Sequence, residues 1–206
     1  MDILLRRRAM MMQEITPTPP VNLLYNWDFT ISLTDTINGI AAVSTGTTDS
    51  NGVYLSQSER YLRLPATYNR DRTIWITFTD FDARKGGTNT KNGRIICASN
   101  GPNTSSGASG FVYRSNGTIN FYTGSWNTSD IPASGKYDYF ANSVLKMYVD
   151  ESGIAKVYKD SALFMTSTGS FPASLNGKDY VLGGSTNDCA ADIRITAIQI
   201  YDGFVI

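Results

Sequence analysis

The chain has 206 residues, 41% hydrophobic and 17% charged, and its 18 Lys plus Arg balance 18 Asp plus Glu, so it is neither a polycation nor a polyanion. It contains no histidine, which excludes Ser-His-Asp and Cys-His catalysis, His-ligated zinc and the one side chain that titrates unaided near neutral pH. Only three glutamates occur, Glu14, Glu59 and Glu151, which argues against a helical fold and leaves few general acids, so binding or scaffolding is the expected class of function rather than catalysis.

Residues 1–22 differ from the rest. Arg6-Arg7-Arg8 is followed by Met10-Met11-Met12 and then by Thr16-Pro17-Thr18-Pro19-Pro20, where the prolines favour an extended linker. The apolar runs around the arginines are too short for a signal-peptide core and no small-residue cleavage site follows, so cytoplasmic synthesis is expected. No run approaches the roughly 20 apolar residues of a membrane span. The segment reads as a docking arm: Met side chains adapt to irregular grooves, and Arg6, Arg7 and Arg8 suit carboxylates or phosphates on a protein partner. Three arginines are too few to indicate nucleic-acid binding. The alternative is a disordered tail.

From Leu23 to Ile206 the chain reads as one all-β domain, short strands divided by turn residues. Strands are expected at 23–31, 53–55, 61–64, 73–80, 94–98, 110–114, 118–123, 144–149, 155–159, 161–166, 180–183 and 193–201, enough for two stacked antiparallel sheets. In Thr73-Ile-Trp-Ile-Thr-Phe-Thr-Asp, Ile74, Ile76 and Phe78 share the core face and Trp75, Thr77 and Thr79 the other. In the last strand the apolar parity jumps between Ile195 and Ile198, which calls for a β-bulge near Ala197. Asn116-Gly117 and Asp150-Glu-Ser-Gly153 read as hairpin turns. Cys97 sits in a strand and Cys189 in a polar loop, and they read as two separate thiols.

Several segments together carry a resemblance. Leu24-Tyr-Asn-Trp-Asp-Phe-Thr, then Asn51-Gly-Val-Tyr-Leu with Tyr61-Leu-Arg-Leu-Pro, resembles the start of a concanavalin A-like (laminin-G-like) jelly roll. Leu145-Lys-Met-Tyr-Val-Asp-Glu-Ser-Gly with Ala155-Lys-Val-Tyr-Lys-Asp-Ser-Ala-Leu is similar to that family's hairpin. Val181-Leu-Gly-Gly and Asp192-Ile-Arg-Ile-Thr-Ala-Ile-Gln-Ile-Tyr-Asp resemble its final strands. The resemblance implies a two-sheet sandwich but not an activity, because the fold hosts lectins, carbohydrate-binding modules, glucanases and adhesion domains. The Glu-x-Asp-x-x-Glu strand of the glucanase branch is missing. Asp80-Phe-Asp82, the nearest acidic pair, reads as a solvated turn.

The resemblance further implies a Ca²⁺ site at Asp28, Gly52 and Asp192, where hard oxygen ligands would come from the first strand, the loop before the second and the last strand. A sugar site needs an exposed aromatic beside amide and backbone groups. Trp126 with Asn127, beside Tyr122 and Tyr137, is the expected site, and Tyr139 is a further candidate for its mouth. Trp27 and Trp75, inside alternating strands, read as packing residues. Leaders that join an Arg triplet to apolar residues before Gly/Thr/Asn-rich β-domains resemble those of bacteriophages of gut bacteria. That likeness implies a virion structural protein, a capsid decoration, head fibre or tail-associated part, docked through Arg6, Arg7, Arg8, Met10, Met11 and Met12. Two other classes stay open: a free carbohydrate-binding or adhesion module, and a glycan-cleaving enzyme. No heptad stalk is present, so a homo-oligomer or larger assembly would use sheet faces, edges or arm exchange.

Overall fold

The computed structural model describes residues 22–55, 60–82, 93–99, 108–113, 118–123, 138–183 and 192–206. Among them, fourteen strands form: β1 Leu23–Asp28, β2 Val43–Ser44, β3 Thr47–Asp49, β4 Gly52–Leu55, β5 Tyr61–Tyr68, β6 Arg72–Asp82, β7 Gly93–Ser99, β8 Ser109–Tyr113, β9 Ile119–Tyr122, β10 Ser143–Val149, β11 Ile154–Lys159, β12 Ala162–Ser170, β13 Lys178–Gly183 and β14 Asp192–Asp202. A 3-10 turn, Ala173–Leu175, separates β12 from β13. The expected all-β jelly-roll sandwich of two antiparallel sheets is what the chain adopts. No helix among the described residues is long and apolar enough to cross a membrane.

The eight-stranded sheet runs β12-β11-β10-β6-β14-β4-β3, with β1 also on β14, and the six-stranded sheet runs β2-β5-β13-β7-β8-β9. β14 pairs with β6 along one side. On its other side it pairs with β1 through Ala197–Tyr201 and with β4 through Ile193–Ile195. The bulge read near Ala197 is present: Ile195 faces Phe78 and Ala197 faces Thr77, leaving Thr196 as the extra residue. Its carbonyl accepts from the Phe29 N–H at 2.8 Å. A second irregularity lies at Arg194/Ile195, where β6 carries the extra residue, Thr79.

Alternation along the strands buries Trp27, Ile74, Ile76, Phe78, Leu145, Met147, Ile198 and Ile200 from one sheet against Leu62, Leu64, Phe111, Phe121, Tyr180 and Leu182 from the other. The aromatic part is cross-braced edge to face, Phe78 on Phe81 and Phe81 on Phe140, each at 5.4 Å between ring centroids. Trp27 stacks on Tyr25 at 5.5 Å and donates its indole N–H to the Ile40 carbonyl at 3.1 Å, so it is a packing residue as expected. Trp75 lies on the outward face, under the Lys146 ammonium at 4.2 Å and against Tyr201. The strands at the sheet ends are short (β2, β3, β9) or, in β12, broken by two register shifts, which blunts them against edge pairing.

Among the described residues five phenols, those of Tyr54, Tyr68, Tyr148, Tyr180 and Tyr201, are held above their ordinary value. Burial does this for Tyr68 and Tyr180, which meet edge to face at 5.3 Å. For Tyr148 burial leads, followed by its hydrogen bond to the Asp71 carboxylate at 2.7 Å. Their pKa values are higher folded than unfolded, so the stability they contribute is full below the unfolded value of 10.0 and is lost as pH rises through the folded ones. Phenolate absorbance is therefore expected to rise near pH 10 for part of the 12 tyrosines only, with the rest appearing together with loss of circular dichroism. Ionisation of all of them at pH 10 in a still-folded chain would contradict this.

Candidate functional site

In the six-stranded sheet Leu62, Leu64, Tyr180, Leu182, Phe111 and Phe121 point into the core, so the alternate positions point away from it. Cross-strand pairing lines these up as one row, Arg63–Val181–Cys97–Gly110–Tyr122. Four strand spacings separate its ends, about 19 Å at ~4.8 Å each. The middle of the row is small. At Gly110 a Cβ would stand 2.4 Å from the Cys97 Cβ and 2.6 Å from the Ile96 carbonyl oxygen, so no larger residue fits there. Beside this row run Arg94–Val112–Asn120 and the pair Asp179–Ser99.

These outward residues are not wet. Ser99 and Asn120 are fully buried and Arg94 is 5% exposed, although they belong to the face opposite the core. Val181 and Cys97 of the row itself are buried as well, so this face is sheltered from solvent along its length and small in the middle. One end holds the Arg63–Asp179 ion pair, at 3.4 Å, and the other Tyr122, half-buried and opposite the side-chain-less Gly110.

Of the expected sugar-site residues, Tyr122 stands at the end of this row, while Trp126, Asn127 and Tyr137 lie outside the described residues, as do Arg6, Arg7, Arg8, Met10, Met11 and Met12. Tyr139 packs against Phe164 at 6.1 Å. Of the three implied calcium ligands, Asp28 and Gly52 come together at the bulge: Asp28 pairs with Ala197, and Gly52 lies against the Ile195 carbonyl. Asp192 is three residues further along β14 than Ile195, about 10 Å away, and faces Asp82 across the β6–β14 ladder. Asp28 already accepts from the Thr30 N–H and hydroxyl, and Asp192 lies beside Tyr54, whose phenol is raised first by burial and then by that carboxylate. No group of three or more carboxylates or thiolates is placed to hold a metal among the described residues.

Arg63, Asp179, Arg94, Ser99 and Asn120 escaped the sequence reading. Two of them carry a local signal, a polar residue between two core residues: Leu62-Arg63-Leu64 and Ile119-Asn120-Phe121. That they share one face depends on the order β5-β13-β7-β8-β9, which joins segments distant in sequence.

The sequence matches no protein-family model and no curated protein sequence. In structure the chain is similar to Domain 4 of AbnA, a GH43 extracellular arabinanase from Geobacillus stearothermophilus, determined in complex with arabinotriose. The TM-score is 0.56 at 17% identity, over 90% of this chain and 95% of that one. It is also similar to the Emp46p carbohydrate recognition domain (TM-score 0.53, 15% identity, 87% and 99% coverage). Trypanosoma rangeli sialidase matches with a TM-score of 0.64 at 14% identity, but this chain spans only 31% of the sialidase. These likenesses establish a shared β-sandwich fold, which is found in parts of glycosidases and in binding domains alike.

Proposed function

We propose that this domain binds glycans on the outward face of its six-stranded sheet, without cleaving them. The observation that carries the reading is the sheltered row between the Arg63–Asp179 pair and Tyr122. It offers a ring for stacking at one end and charged hydrogen-bonding groups at the other, with small residues between them. The arabinotriose complex of the AbnA domain and the carbohydrate recognition domain of Emp46p support the ligand class. Binding is favoured over cleavage because the described carboxylates of this row reduce to Asp179, already committed to Arg63 and to the Ala66 N–H, whereas glycosidases use two carboxyl groups flanking one bond.

The test is a glycan array on the full chain, wild type, Tyr122→Ala and Trp126→Ala, in calcium and in EDTA. Tyr122→Ala is expected to weaken binding roughly tenfold, the loss of about 1.4 kcal/mol of ring contact. Silence of the folded wild-type chain on a broad array would remove the glycan reading. The EDTA arm tests the proposed participation of Ca²⁺ at Asp28 and Gly52. Product analysis with Asp82→Asn and Asp192→Asn variants would reveal any hydrolysis through that opposed pair.

The same reading extends to residues 1–22 as the arm that fixes the domain in a bacteriophage particle. Arg6–Arg8, Met10–Met12 and the proline run support it. The chain is then expected in purified virions, and a variant lacking residues 1–22 is expected to be left out.

A further inference from the structure

Among the described residues six large apolar side chains stand exposed, and three of them, Leu163, Phe204 and Ile206, cluster on the outward side of the eight-stranded sheet. Leu163 pairs with Tyr158 across β11 and β12 and so shares its face. The Phe204 ring meets Tyr148 at 5.0 Å and Tyr158 at 6.0 Å, yet Phe204 stays 55% exposed. Its backbone is pinned on both flanks. The Gly203 N–H donates to the Asp71 carbonyl at 2.9 Å, and the Thr73 hydroxyl donates to the Gly203 carbonyl at 2.7 Å. The same hydroxyl accepts the Val205 N–H at 3.0 Å, and the Trp75 indole donates to the Val205 carbonyl at 3.0 Å. The segment after β14 is thus fastened to the sheet, and the phenyl ring is presented in one place before anything binds it. A pre-ordered ring loses little conformational entropy on association, and aromatic rings of this kind anchor interfaces.

Charges of opposite sign flank this aromatic cluster on opposite sides. Lys156 stands across from Tyr148 on β11 and points outward, between the buried Ala155 and Val157; it is partly exposed, and its ammonium has no acceptor among the described residues. On the β6 side Asp71 accepts the Tyr148 hydroxyl on Oδ1 at 2.7 Å, and its Oδ2 has no donor among the described residues. A two-fold axis lying in the plane of the face along β10 exchanges the β11 side of one copy with the β6 side of the other. Lys156 then comes over the partner's Thr73, about 7 Å along the strand from Asp71, a distance that a lysine side chain spans. The face is therefore complementary to itself, which is the requirement of an isologous interface. We propose that it pairs with a second copy of this chain, with the Phe204 rings beside the axis and Lys156 of each protomer against Asp71 of the other. The pairing goes beyond the glycan reading and does not depend on it. Back-to-back association leaves the two six-stranded sheets on the outside of the pair, facing opposite ways.

The experiment is sedimentation velocity on the full chain from about 1 to 200 µM, the range of transient pairs, at low and raised salt. The wild type is expected to pass from monomer to dimer across this range, with weaker dimerisation as salt rises. Phe204→Ser is expected to weaken dimerisation at least about tenfold, because both copies lose the ring. Lys156→Glu sets like charges against each other at both contacts and is expected to weaken it about tenfold. Adding Asp71→Lys to Lys156→Glu restores the pairs with exchanged sign and is expected to recover part of that loss. Thermal unfolding confirms that each variant folds, and the two single variants keep the test independent of the Asp71 substitution. A wild type that stays monomeric throughout overturns the proposal and leaves the patch to a different partner. A dimer that both Phe204→Ser and Lys156→Glu leave intact also overturns it, since the contact would then lie elsewhere. Failure of the folded double variant to recover any dimer overturns the Lys156–Asp71 pairing.

Discussion

Replacing Arg70 by alanine is expected to lower stability by about 3–4 kcal/mol, roughly 10 °C in thermal midpoint for a domain of this size. The side chain ties three separate segments together at one end of the sandwich. Its Nε donates to the Phe171 carbonyl at 3.1 Å, its Nη1 to the Glu151 carbonyl at 2.9 Å, and its Nη2 to the Ser170 hydroxyl at 3.3 Å and to Phe171 again. Phe171 follows β12 and Glu151 sits in the β10–β11 turn, so one residue of the β5–β6 turn fastens both. Every acceptor is neutral, and hydrogen bonds from a charged donor contribute about 1.5–3 kcal/mol each before water replaces part of them. Arg70→Lys is expected to recover less than half the loss, because an ammonium cannot reach three acceptors in one plane. Urea titrations decide the matter; a loss below about 1 kcal/mol for Arg70→Ala would mean that the segments hold without the clamp.

The second large effect is expected at Gly52, whose substitution by alanine should cost about 3 kcal/mol or prevent folding. Gly52 has φ +108, and a Cβ there would stand 2.3 Å from the Ile195 carbonyl oxygen and 3.0 Å from its carbon. Both are backbone atoms of the central strand β14, so neither can swing aside, and β4 would have to separate from it. Gly39 is the matched control: φ is +71 but nothing lies within 4 Å of the added carbon, so Gly39→Ala should cost only the backbone term, about 1 kcal/mol. Equal losses at the two positions would show that the clash at β14 relaxes. Measuring both in calcium and in EDTA separates this packing role of Gly52 from any role in holding a cation.

The sandwich was legible where apolar residues alternate. Ile74-Trp-Ile-Thr-Phe announced β6 together with its inner and outer faces. The parity break in β14 announced the bulge, which the structure places at Thr196. β2 and β3 were missed because Val43-Ser44 and Thr47-Thr-Asp49 are short and mostly polar, and each is a strand only because a neighbour, β5 or β4, supplies its hydrogen bonds. The companion break in β6 was written in the spacing of Phe78 and Phe81, both buried yet three residues apart, but the reading ended that strand at Asp80, one residue short of the second phenylalanine.

For the site, the sequence by itself determined the chemistry that was excluded, through the missing histidine and scarce glutamate, and the face of each strand on which Arg63 and Asn120 stand, because side-chain parity is local. Tertiary structure alone decided which outward residues become neighbours. Arg63, Val181, Cys97, Gly110 and Tyr122 form a row through β5-β13-β7-β8-β9 pairing, three of whose contacts join strands far apart in the chain or cross long loops. Pairing order is set by how two sheets bury a common core and not by any property of a single strand. The Arg63–Asp179 contact is likewise a tertiary fact, since the two residues stand 116 positions apart in the chain.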